Sequence, residues 1–595
     1  MKVRMADYLI DRIYNEGVKD VFFVPGTGNM YLIDALARKK EVNAVSVHHE
    51  QAGAMAAITY AKCNEMLGAC LVTTGCGGTN TITALLHAWQ DSVPCVFISG
   101  QAARHQTIRN AEVPLRQMGR QEANIVEIVS SITKYAVMIN SPDDVAYEID
   151  KALYYATEGR KGPVWIDVPG DIQSSVIETD QLKSFEIPDS LLNMDFSDED
   201  KQYIIKELEI ANRPIILLGN GVRAAKAIPA LHEFIEQYQI PITYSRLAPD
   251  LVSTDNPLSI GMIGMLGASR AGNFALANSD LILCVGCRLS INTTGYEYEK
   301  FAREAKLIVI DIDEVEHMKN TVEIYTFIQS DAKAFFESMN KEKPKKQYAD
   351  WKEKCFHWKK IFPIGIGDAI VNERINIYHF VDILSDELPP KATIISDAGC
   401  VFFTVSPTLK LKQGQRSITS GGQAEMGYAL PGSIGASFAC NGQVIAICGD
   451  GSFMMNMQEL ETLAYLNLPI KLFIMNNNGY SSIRWLQDNA FRGRLIGCDP
   501  SHGIGFPDFE KITLAFGLDY IKIDGTSSIE DKIQEVLKKE GPVVCEVMCI
   551  EDQRFLTVAL QTNSKKRLVN SPLEDQSPFM DRAVFRKEMI IQPLD

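Results

Sequence analysis

The feature that most constrains the fold of this chain is a rhythm of short apolar runs that alternate with helical stretches. The runs "DVFFVPG", "GACLVTTG", "PCVFISG" and "GPVWIDVPG" each predict a strand that ends in a Gly or Pro turn. Amphipathic stretches such as "EQAGAMAAITYAKCN" lie between them. This alternation predicts βαβ units, and therefore parallel sheets flanked by helices.

The rhythm occurs three times, and a chain of 595 residues is too long for a single core. We therefore expect an α/β fold of three doubly wound parallel-sheet domains. The polar segment 176–200 and the Lys- and Trp-rich segment 340–363 are interpreted as linkers. The predicted units are residues 1–175, 190–340 and 365–550, followed by an irregular C-terminal tail at 551–595.

Charge and composition narrow the classes of partner. The formal net charge is -16 and the pI is near 5.2, and an acidic surface repels nucleic acid and anionic membranes. The N-terminal stretch "MKVRMADYLIDRIYNEGVKD" lacks the pattern of a signal or transit peptide. No apolar run reaches the roughly 18 residues of a membrane span. We expect a cytoplasmic protein with neither nucleic acid nor membrane as a partner.

The stretch from Gly449 to Gly479 carries the clearest chemistry. The apolar run "GQVIAIC" ends in Gly449-Asp450-Gly451, a helical stretch follows, and the run "PIKLFIM" ends in Asn476-Asn477-Asn478-Gly479. A right-handed βαβ crossover brings both turns to the same edge of the sheet, so Asp450 and Asn477 are expected to meet. Carboxylate, amide and backbone carbonyl oxygens are hard ligands that suit Mg²⁺.

The backbone N–H groups of Gly451 and Ser452 suit a phosphate, so this turn predicts a site for a magnesium-bridged diphosphate. A GDG turn alone is common and carries little information. Followed by a helix, a strand and two asparagines, it resembles the signature of thiamine diphosphate (ThDP) enzymes. The resemblance implies that Asp450, Asn477 and the Gly479 carbonyl bind Mg²⁺, with Tyr480 beside the cofactor.

A second match lies in "AVSVHHEQAGAMAAITYA", which is similar to the R-H-E-Q segment of the same family. The resemblance implies that Glu50 contacts N1′ of the aminopyrimidine ring and promotes the tautomer that takes the proton from thiazolium C2. Considered alone, Glu50 is better explained as a solvated helix start, but the magnesium motif in the same chain favours the role in the cofactor site.

A third match is "SGGQAEMGYALPGSIGASFA", which resembles the family's S-G-G-x-G-x-M-G-x-x-L-P. It implies that Met426 lies under the cofactor and that backbone groups of Ala424 and Met426 bond the pyrimidine. A lone methionine is more often core filler. Glu425 departs from the pattern, in which no acid is expected.

The resemblance covers nearly the whole chain and is nearest to the acetolactate synthase and pyruvate oxidase type, whose domains bind pyrimidine, form a middle unit and bind diphosphate. "VFFVPGTGN" places Gly26 near the cofactor, and "RQEANIV" implies that Gln121 lines the active site. Gly399 and Cys400 stand where that type holds the diphosphate with D-x-G-Q-H. Cys400 replaces the usual Gln. In "SIRWLQ" Trp485 is shifted by one position from the family's Q-W-Q, whose Trp bounds the acceptor pocket, so the resemblance leaves the acceptor open.

Flavin-contacting turns of the acetolactate synthase type resemble "VGCR" and "VIDID". They imply an FAD site at Arg288, Asp311 and Asp313, because an acid at a strand end suits a ribityl or ribose hydroxyl. Many relatives keep this fold without flavin, so both alternatives stay open.

We expect a ThDP- and Mg²⁺-dependent carboligase that decarboxylates a 2-oxoacid, with pyruvate as the favoured donor, and transfers the two-carbon unit to a second carbonyl. The alternatives are transfer to a keto-sugar, a 2-oxoacid decarboxylase, a 2-hydroxyacyl-CoA lyase, or a non-enzymatic relative. His49 and His87 are acid–base candidates as well as structural ones. The resemblance implies that Glu50 and Asp450 come from different subunits, hence a homodimer or tetramer.

Overall fold

The computed structural model describes residues 1–187, 194–562 and 568–594. This part of the chain contains three six-stranded sheets in which every strand pair is parallel. The predicted α/β class with three doubly wound sheets is confirmed. The domain boundary expected at residue 190 lies outside the described residues.

The N-terminal unit has the strand order β3-β2-β4-β5-β7-β6, and a separate antiparallel pair joins β1 to β8. Its strands are β1 (Lys2–Arg4), β2 (Asp20–Phe23), β3 (Asn43–Ser46), β4 (Gly68–Val72), β5 (Cys95–Gln101), β6 (Tyr135–Met138), β7 (Pro163–Pro169) and β8 (Val176–Glu178). Its helices are α1 (Met5–Asn15), α2 (Met30–Arg38), α3 (Glu50–Asn64), α4 (Cys76–Thr79), α5 (Ile82–Gln90), α6 (Ile125–Val129), α7 (Val145–Thr157) and α8 (Gly170–Gln173).

The middle unit has the strand order β11-β10-β9-β12-β13-β14. Its strands are β9 (Pro214–Leu218), β10 (Ile242–Tyr244), β11 (Ser259–Met262), β12 (Leu281–Val285), β13 (Lys306–Asp311) and β14 (Thr326–Gln329). Its helices are α9 (Asp198–Ile210), α10 (Gly221–Ala224), α11 (Ile228–Tyr238), α12 (Arg270–Ala277), α13 (Ile291–Thr294), α14 (Glu314–His317), α15 (Ala332–Met339) and α16 (Ala349–Ile361).

The C-terminal unit has the strand order β18-β17-β19-β20-β22-β21 and a short hairpin, β15-β16. Its strands are β15 (Ile370–Val371), β16 (Arg374–Ile375), β17 (Thr393–Ser396), β18 (Arg416–Thr419), β19 (Val444–Gly449), β20 (Lys471–Asn476), β21 (Asp519–Ile523) and β22 (Val543–Met548). Its helices are α17 (Ile377–Glu387), α18 (Cys400–Thr408), α19 (Ala429–Ala439), α20 (Asp450–Phe453), α21 (Leu460–Tyr465), α22 (Ser481–Phe491), α23 (Phe509–Ala515) and α24 (Ile529–Lys538).

Each sheet reverses its strand order beside its first strand, and the N-terminal and C-terminal sheets reverse it again at the far edge, at β7-β6 and β22-β21. Ligands of such sheets bind at the reversal between strands whose connections run in opposite directions. The reversals lie between β2 and β4, between β9 and β12, and between β17 and β19. The GDG turn follows β19, and the Asn477 turn follows its parallel neighbour β20. The sequence therefore predicted correctly that these two turns share one edge of the sheet.

The N-terminal and C-terminal units share one apolar core, which is formed largely by α3 and α19. A Cβ at Gly435 would lie 2.0 Å from the carbonyl oxygen of Ala56, so only glycine allows the two helices to approach this closely. This packing fixes the turn that leads into α3 at Glu50 relative to the turn that leads into α19.

Two expectations about linking segments are wrong. Residues 349–361 form helix α16, whose Trp351, Cys355 and Trp358 are buried in the core of the middle unit. The C-terminal segment contains β23 (Leu560–Thr562), β24 (Leu568–Asn570) and α25 (Arg582–Glu588), and Phe585 of α25 packs into the same core. Lysines on the exposed face of α16 make the composition of this segment polar, so its composition does not reveal the apolar stripe on the buried face.

None of the helices in the described ranges combines the length and apolar character needed to cross a bilayer.

Candidate active site

Asp450 begins α20 directly after β19 and is 2% exposed. Its Oδ2 accepts the backbone N–H of Gly479 at 2.9 Å, and its Oδ1 accepts that of Gly451 at 2.7 Å. Burial raises the pKa of Asp450 to about 7. Among the described residues no Lys or Arg forms an ion pair with this carboxylate, so a bound cation would stabilise its charged form.

Asn477 lies on the neighbouring turn and is also buried. Its Nδ2 donates to the Sγ of Cys400 and to the Oγ of Ser481, both at 3.1 Å. Its Oδ1 is buried and lacks a hydrogen-bond partner among the described residues. An unpartnered amide oxygen near a carboxylate without a counter-ion fits the donor set of a Mg²⁺ site.

Cys400 lies in the turn after β17, next to Gly399, whose φ is 67°. Burial raises the pKa of the Cys400 thiol to about 11, so the side chain stays neutral at ordinary pH. This turn lies on the other side of the strand reversal from Asp450. The structure therefore brings Gly399, Cys400, Asp450 and Asn477 to one sheet edge.

Tyr480 explains why the GDG turn needs its second glycine. A Cβ at Gly451 would lie 2.0 Å from Cε1 of Tyr480, so the ring occupies the space that a side chain would need. The N–H of Gly451 is already bonded to Asp450, which differs from the expectation that it serves a phosphate. Ser452 is buried and bonds the carboxylate of Asp397.

Asp397 is a positioning residue whose role the sequence did not indicate. Its carboxylate accepts the backbone N–H groups of Gly427 at 3.0 Å and Ala429 at 2.8 Å. Burial raises the pKa of Asp397, and these hydrogen bonds oppose that effect. Asp397 thus fixes the turn that carries Met426, which is half-buried, and Ala424.

Glu425 is buried, and its carboxylate contacts His87 Nδ1 at 2.6 Å. The acid that departs from the family pattern is therefore ion-paired with the N-terminal unit. His87 is fully buried, which favours the structural interpretation of this histidine. His49 is also structural, since its Nδ1 accepts the N–H of Gln51 at 3.3 Å and caps α3.

Glu50 is the first residue of α3 and is half-buried. Its Oε2 accepts a hydrogen bond from Asn80 Nδ2 at 2.9 Å. The preceding turn is held by Glu459 of the C-terminal unit, whose Oε1 accepts the N–H groups of His48 and His49, each at 3.1 Å. Glu459 lies in the stretch between the GDG and NN turns, but its partner lies about 410 positions away in sequence.

Gly26 and Gln121 lie in the loop cluster at the reversal of the N-terminal sheet. A Cβ at Gly26 would lie 2.4 Å from Thr73 Oγ1, and one at Gly75 would lie 2.0 Å from the carbonyl oxygen of Gln121. Gln121 is exposed and has a φ of 58°. Its side chain therefore projects from a tightly packed loop.

The predicted residues form two separate groups within one chain. Asp450, Asn477 and Gly479 meet in the C-terminal unit, whereas Glu50, Gly26 and Gln121 belong to the N-terminal unit. No hydrogen bond or ion pair between described residues joins Glu50 to the first group.

A cavity of about 770 Å³ lies between the strand reversal of the middle unit and the N-terminal unit. Arg288 and Asp311 line it, as do Gly221 and Gly286 in the turns after β9 and β12. Its size and location suit a dinucleotide. Asp313 does not line it. The Asp313 carboxylate instead caps α14 and pairs with Arg160 at 2.8 Å, which engages it within the protein.

Comparison with known proteins agrees with this geometry. The chain matches the thiamine pyrophosphate enzyme N-terminal TPP binding domain over residues 3–123, the central domain over 202–339, and the C-terminal TPP binding domain over 397–547. It is 31% identical to the chloroplastic acetolactate synthase of Arabidopsis thaliana over 567 residues, which covers 93% of this chain and 82% of the relative.

Two further relatives agree. Acetolactate synthase 1, chloroplastic, of Zea mays is 30% identical over 93% of this chain and 86% of its own length. The acetolactate synthase large subunit of Pyropia yezoensis is 29% identical over 94% of both chains.

The fold and the three matched domains define an enzyme that uses thiamine diphosphate. The chain belongs to the thiamine pyrophosphate enzyme family, and it is an acetolactate synthase-like member of it.

Proposed function

We propose that this protein is a Mg²⁺- and ThDP-dependent carboligase that uses pyruvate as its two-carbon donor. The proposal rests on two neighbouring groups at the strand reversal of the C-terminal sheet. One is the buried Asp450 carboxylate, and the other is the Oδ1 of Asn477, which lacks a hydrogen-bond partner among the described residues. Pyruvate is chosen because the similar proteins are named acetolactate synthases.

Asp450, Asn477 and the Gly479 carbonyl hold the metal in this proposal. The Gly479 carbonyl accepts the N–H of Ser481 at 3.1 Å and keeps a second lone pair for a cation. When bound, ThDP would supply the electron sink that lets the donor lose CO₂, and the two-carbon unit left from the donor would then attack a second carbonyl. The Met426 turn, fixed by Asp397, supports the pyrimidine from below.

Glu50 holds a proton at the aminopyrimidine ring and so controls its tautomer. Asn80 and the turn fixed by Glu459 orient the Glu50 carboxylate. Gln121 contributes to the substrate side of the pocket. Exclusion of water from this pocket prevents protonation of the two-carbon unit, which would release an aldehyde.

The active site is shared between subunits in this proposal. Glu50 of one subunit faces Asp450 of another, so the protein acts as a homodimer or a dimer of dimers. Support comes from Gln121, which is exposed in the single chain, and from Glu50 and Met426, which are only half-buried there.

The cavity of the middle unit takes FAD in this proposal, with Asp311 on a ribityl or ribose hydroxyl and Arg288 beside it. Asp311 accepts only one backbone N–H, that of Asp313 at 3.0 Å, among the described hydrogen bonds, so its carboxylate has remaining capacity for ligand hydroxyls.

Product identification tests the reaction. Purified protein is incubated with ThDP, Mg²⁺ and ¹³C-labelled pyruvate, and all products are identified by NMR. Abundant 2-acetolactate supports pyruvate as both donor and acceptor. Slow CO₂ release that accelerates when a keto-sugar is added favours the second acceptor class. Free acetaldehyde as the main product would show a decarboxylase, and unchanged pyruvate would refute the proposed donor.

A further inference from the structure

A cluster of four charged side chains lies between the N-terminal and C-terminal units. The Glu425 cluster comprises Glu425, His87, Asp91 and Lys62. His87 Nδ1 contacts Glu425 Oε1 at 2.6 Å, and its Nε2 lies 3.1 Å from Asp91 Oδ2 and 2.8 Å from Lys62 Nζ. Lys62 Nζ also contacts Asp91 Oδ2 at 2.7 Å. Buried charges are retained in a fold only when they are paired in this way.

The Glu425 cluster bonds the backbone of loop 420–427, which carries the residues proposed to bind the pyrimidine. Asp91 accepts the N–H of Gly421 at 3.0 Å and that of Gly422 at 2.8 Å. The Glu425 carboxylate accepts the hydroxyl of Ser420, whose Oγ in turn accepts the N–H of Ala424 at 3.2 Å. The cluster therefore bonds the loop at its start and at its centre.

The loop needs such support because its backbone is strained. Ala424 has a φ of 52°, in the left-handed region that non-glycine residues rarely adopt. Such a conformation persists only where the surroundings fix it. Glu425, the next residue, is tied to a helix of the other unit, and Asp397 fixes the far side of the loop at Gly427.

We propose that Glu425, acting through His87, is a positioning residue that holds the Ala424–Met426 backbone in its cofactor-binding shape, and that the charge of His87 makes this support pH-dependent. The proposal rests on the proposed ThDP function. In this proposal Glu425 and His87 orient the backbone groups that contact the aminopyrimidine, and they do not contact the substrate.

The charges around His87 set the direction of the pH effect. The groups that face it are Glu425, Asp91 and Lys62, and the ring of Tyr428 lies at 4.8 Å with its hydroxyl on Thr59. Burial and the Lys62 charge oppose a charged imidazole, but the Glu425 and Asp91 carboxylates together outweigh them, so the pKa of His87 is raised. The cluster is electrically balanced only when His87 is protonated.

A group whose pKa is raised on folding gives its full support below its unfolded pKa and loses it as pH rises through its folded pKa. The imidazolium–carboxylate pair therefore supports the loop fully below the ordinary imidazole pKa and weakens as pH rises through the raised pKa of His87. Removing the Glu425 charge leaves Asp91 as the one carboxylate that raises the pKa of His87, so the weakening should begin at a lower pH.

The test compares three single variants with the wild type. Glu425→Gln removes the charge and keeps the shape, and His87→Asn removes the titrating ring. Glu588→Gln is the matched control, because Glu588 is a buried glutamate that pairs with His357 at 3.2 Å and Lys354 at 2.7 Å far from the loop. Amide hydrogen exchange of residues 420–427 is measured in cofactor-free protein, and the ThDP dissociation constant is measured with Mg²⁺ over a pH series.

We expect Glu425→Gln and His87→Asn to speed amide exchange in residues 420–427 by about tenfold and to weaken ThDP binding by a similar factor. This factor corresponds to the loss of one hydrogen bond to a charged group. In Glu425→Gln the weakening of ThDP binding with rising pH should begin at a lower pH than in the wild type. Glu588→Gln should match the wild type in both measurements. Unchanged exchange in Glu425→Gln, or faster exchange with unchanged ThDP affinity and pH profile, would overturn the proposal.

The two proposals fail in different ways. A wild type that binds no ThDP at any pH would refute the proposed function and, with it, the cofactor role of Glu425. Weak ThDP binding in the variants alone would refute neither the fold assignment nor the reaction.

Discussion

Gly479 donates its backbone N–H to Oδ2 of Asp450 at 2.9 Å, across 29 positions of the chain. The bond joins the turns after two adjacent parallel strands and aims the carboxylate at the Asn477 turn. Burial raises the pKa of Asp450 to about 7, so this group is poised to exchange a proton for a cation near neutral pH.

Magnesium binding should depend on pH through Asp450. Below pH 7 a proton competes with the cation for Asp450. The Mg²⁺ affinity measured with ThDP should therefore increase about tenfold for each unit by which the pH is raised, and it should level off above pH 7. In Asp450→Asn the Mg²⁺ affinity should lose this pH dependence and should fall by at least about 100-fold. Asp167→Asn is the matched control, because burial also raises the pKa of Asp167 to about 7 and that residue lies in the N-terminal sheet. Equal affinity and pH dependence in both variants would contradict the assignment.

The two glycines of the GDG turn should respond differently to alanine. In Gly451→Ala the new Cβ overlaps the Tyr480 ring, and overpacking of this kind costs about 1–3 kcal/mol. Gly449 has a φ of -78°, and apart from its chain neighbours no atom of the described residues lies within 4 Å of the position that a Cβ would take, so Gly449→Ala should retain stability and ThDP affinity. Urea unfolding and ThDP titration measure both effects. The prediction fails if the two variants behave alike.

Glu459 should act on turnover by orienting the Glu50 turn. Glu459→Ala removes the acceptor of two backbone N–H groups, and each unsatisfied group costs about 1–3 kcal/mol. We expect kcat to fall by about tenfold while ThDP affinity changes little. Glu461→Ala, an exposed neighbour within α21, is the control. Loss of ThDP affinity without loss of kcat would show that Glu459 does not act through Glu50.

The flavin proposal predicts different effects for substitutions of two neighbouring aspartates. Asp311→Asn should weaken FAD binding by about tenfold, because it removes a charged acceptor in the cavity. Asp313→Asn should leave FAD affinity unchanged and lower stability by about 1 kcal/mol, because Asp313 caps a helix and pairs with Arg160. Flavin fluorescence titration measures the affinity. A wild type that fails to bind FAD would exclude this cofactor, and an equal loss in both variants would reject the assigned roles.

The contact between the GDG and NN turns could be predicted from the sequence because it follows from local rules. A strand, a crossover helix and a parallel strand have one favoured hand, and their carboxyl ends share an edge. The apolar runs that form β19 and β20 are unbroken, since both faces of the sheet are covered by helices.

Other parts of the site depend on contacts that no local pattern contains. Glu425 and His87 meet across 338 positions, and Glu459 meets the His49 turn across 410. Asp313 is different, since Asp313-x-x-Glu316 is a capping pattern that the sequence already displayed. The buried residues of α16 at positions 351, 355 and 358 have helical spacing, which surrounding lysines obscured.

Subunit complementation tests the central claim most directly. Glu50→Gln and Asp450→Asn subunits are each purified, unfolded and refolded together, and carboligation from pyruvate is measured. Each variant alone should be inactive. The mixture should regain about one quarter of wild-type activity, because random pairing makes half of the dimers mixed and each mixed dimer holds one intact site. Mixed dimers that form but stay inactive would contradict an active site built from Glu50 of one subunit and Asp450 of another.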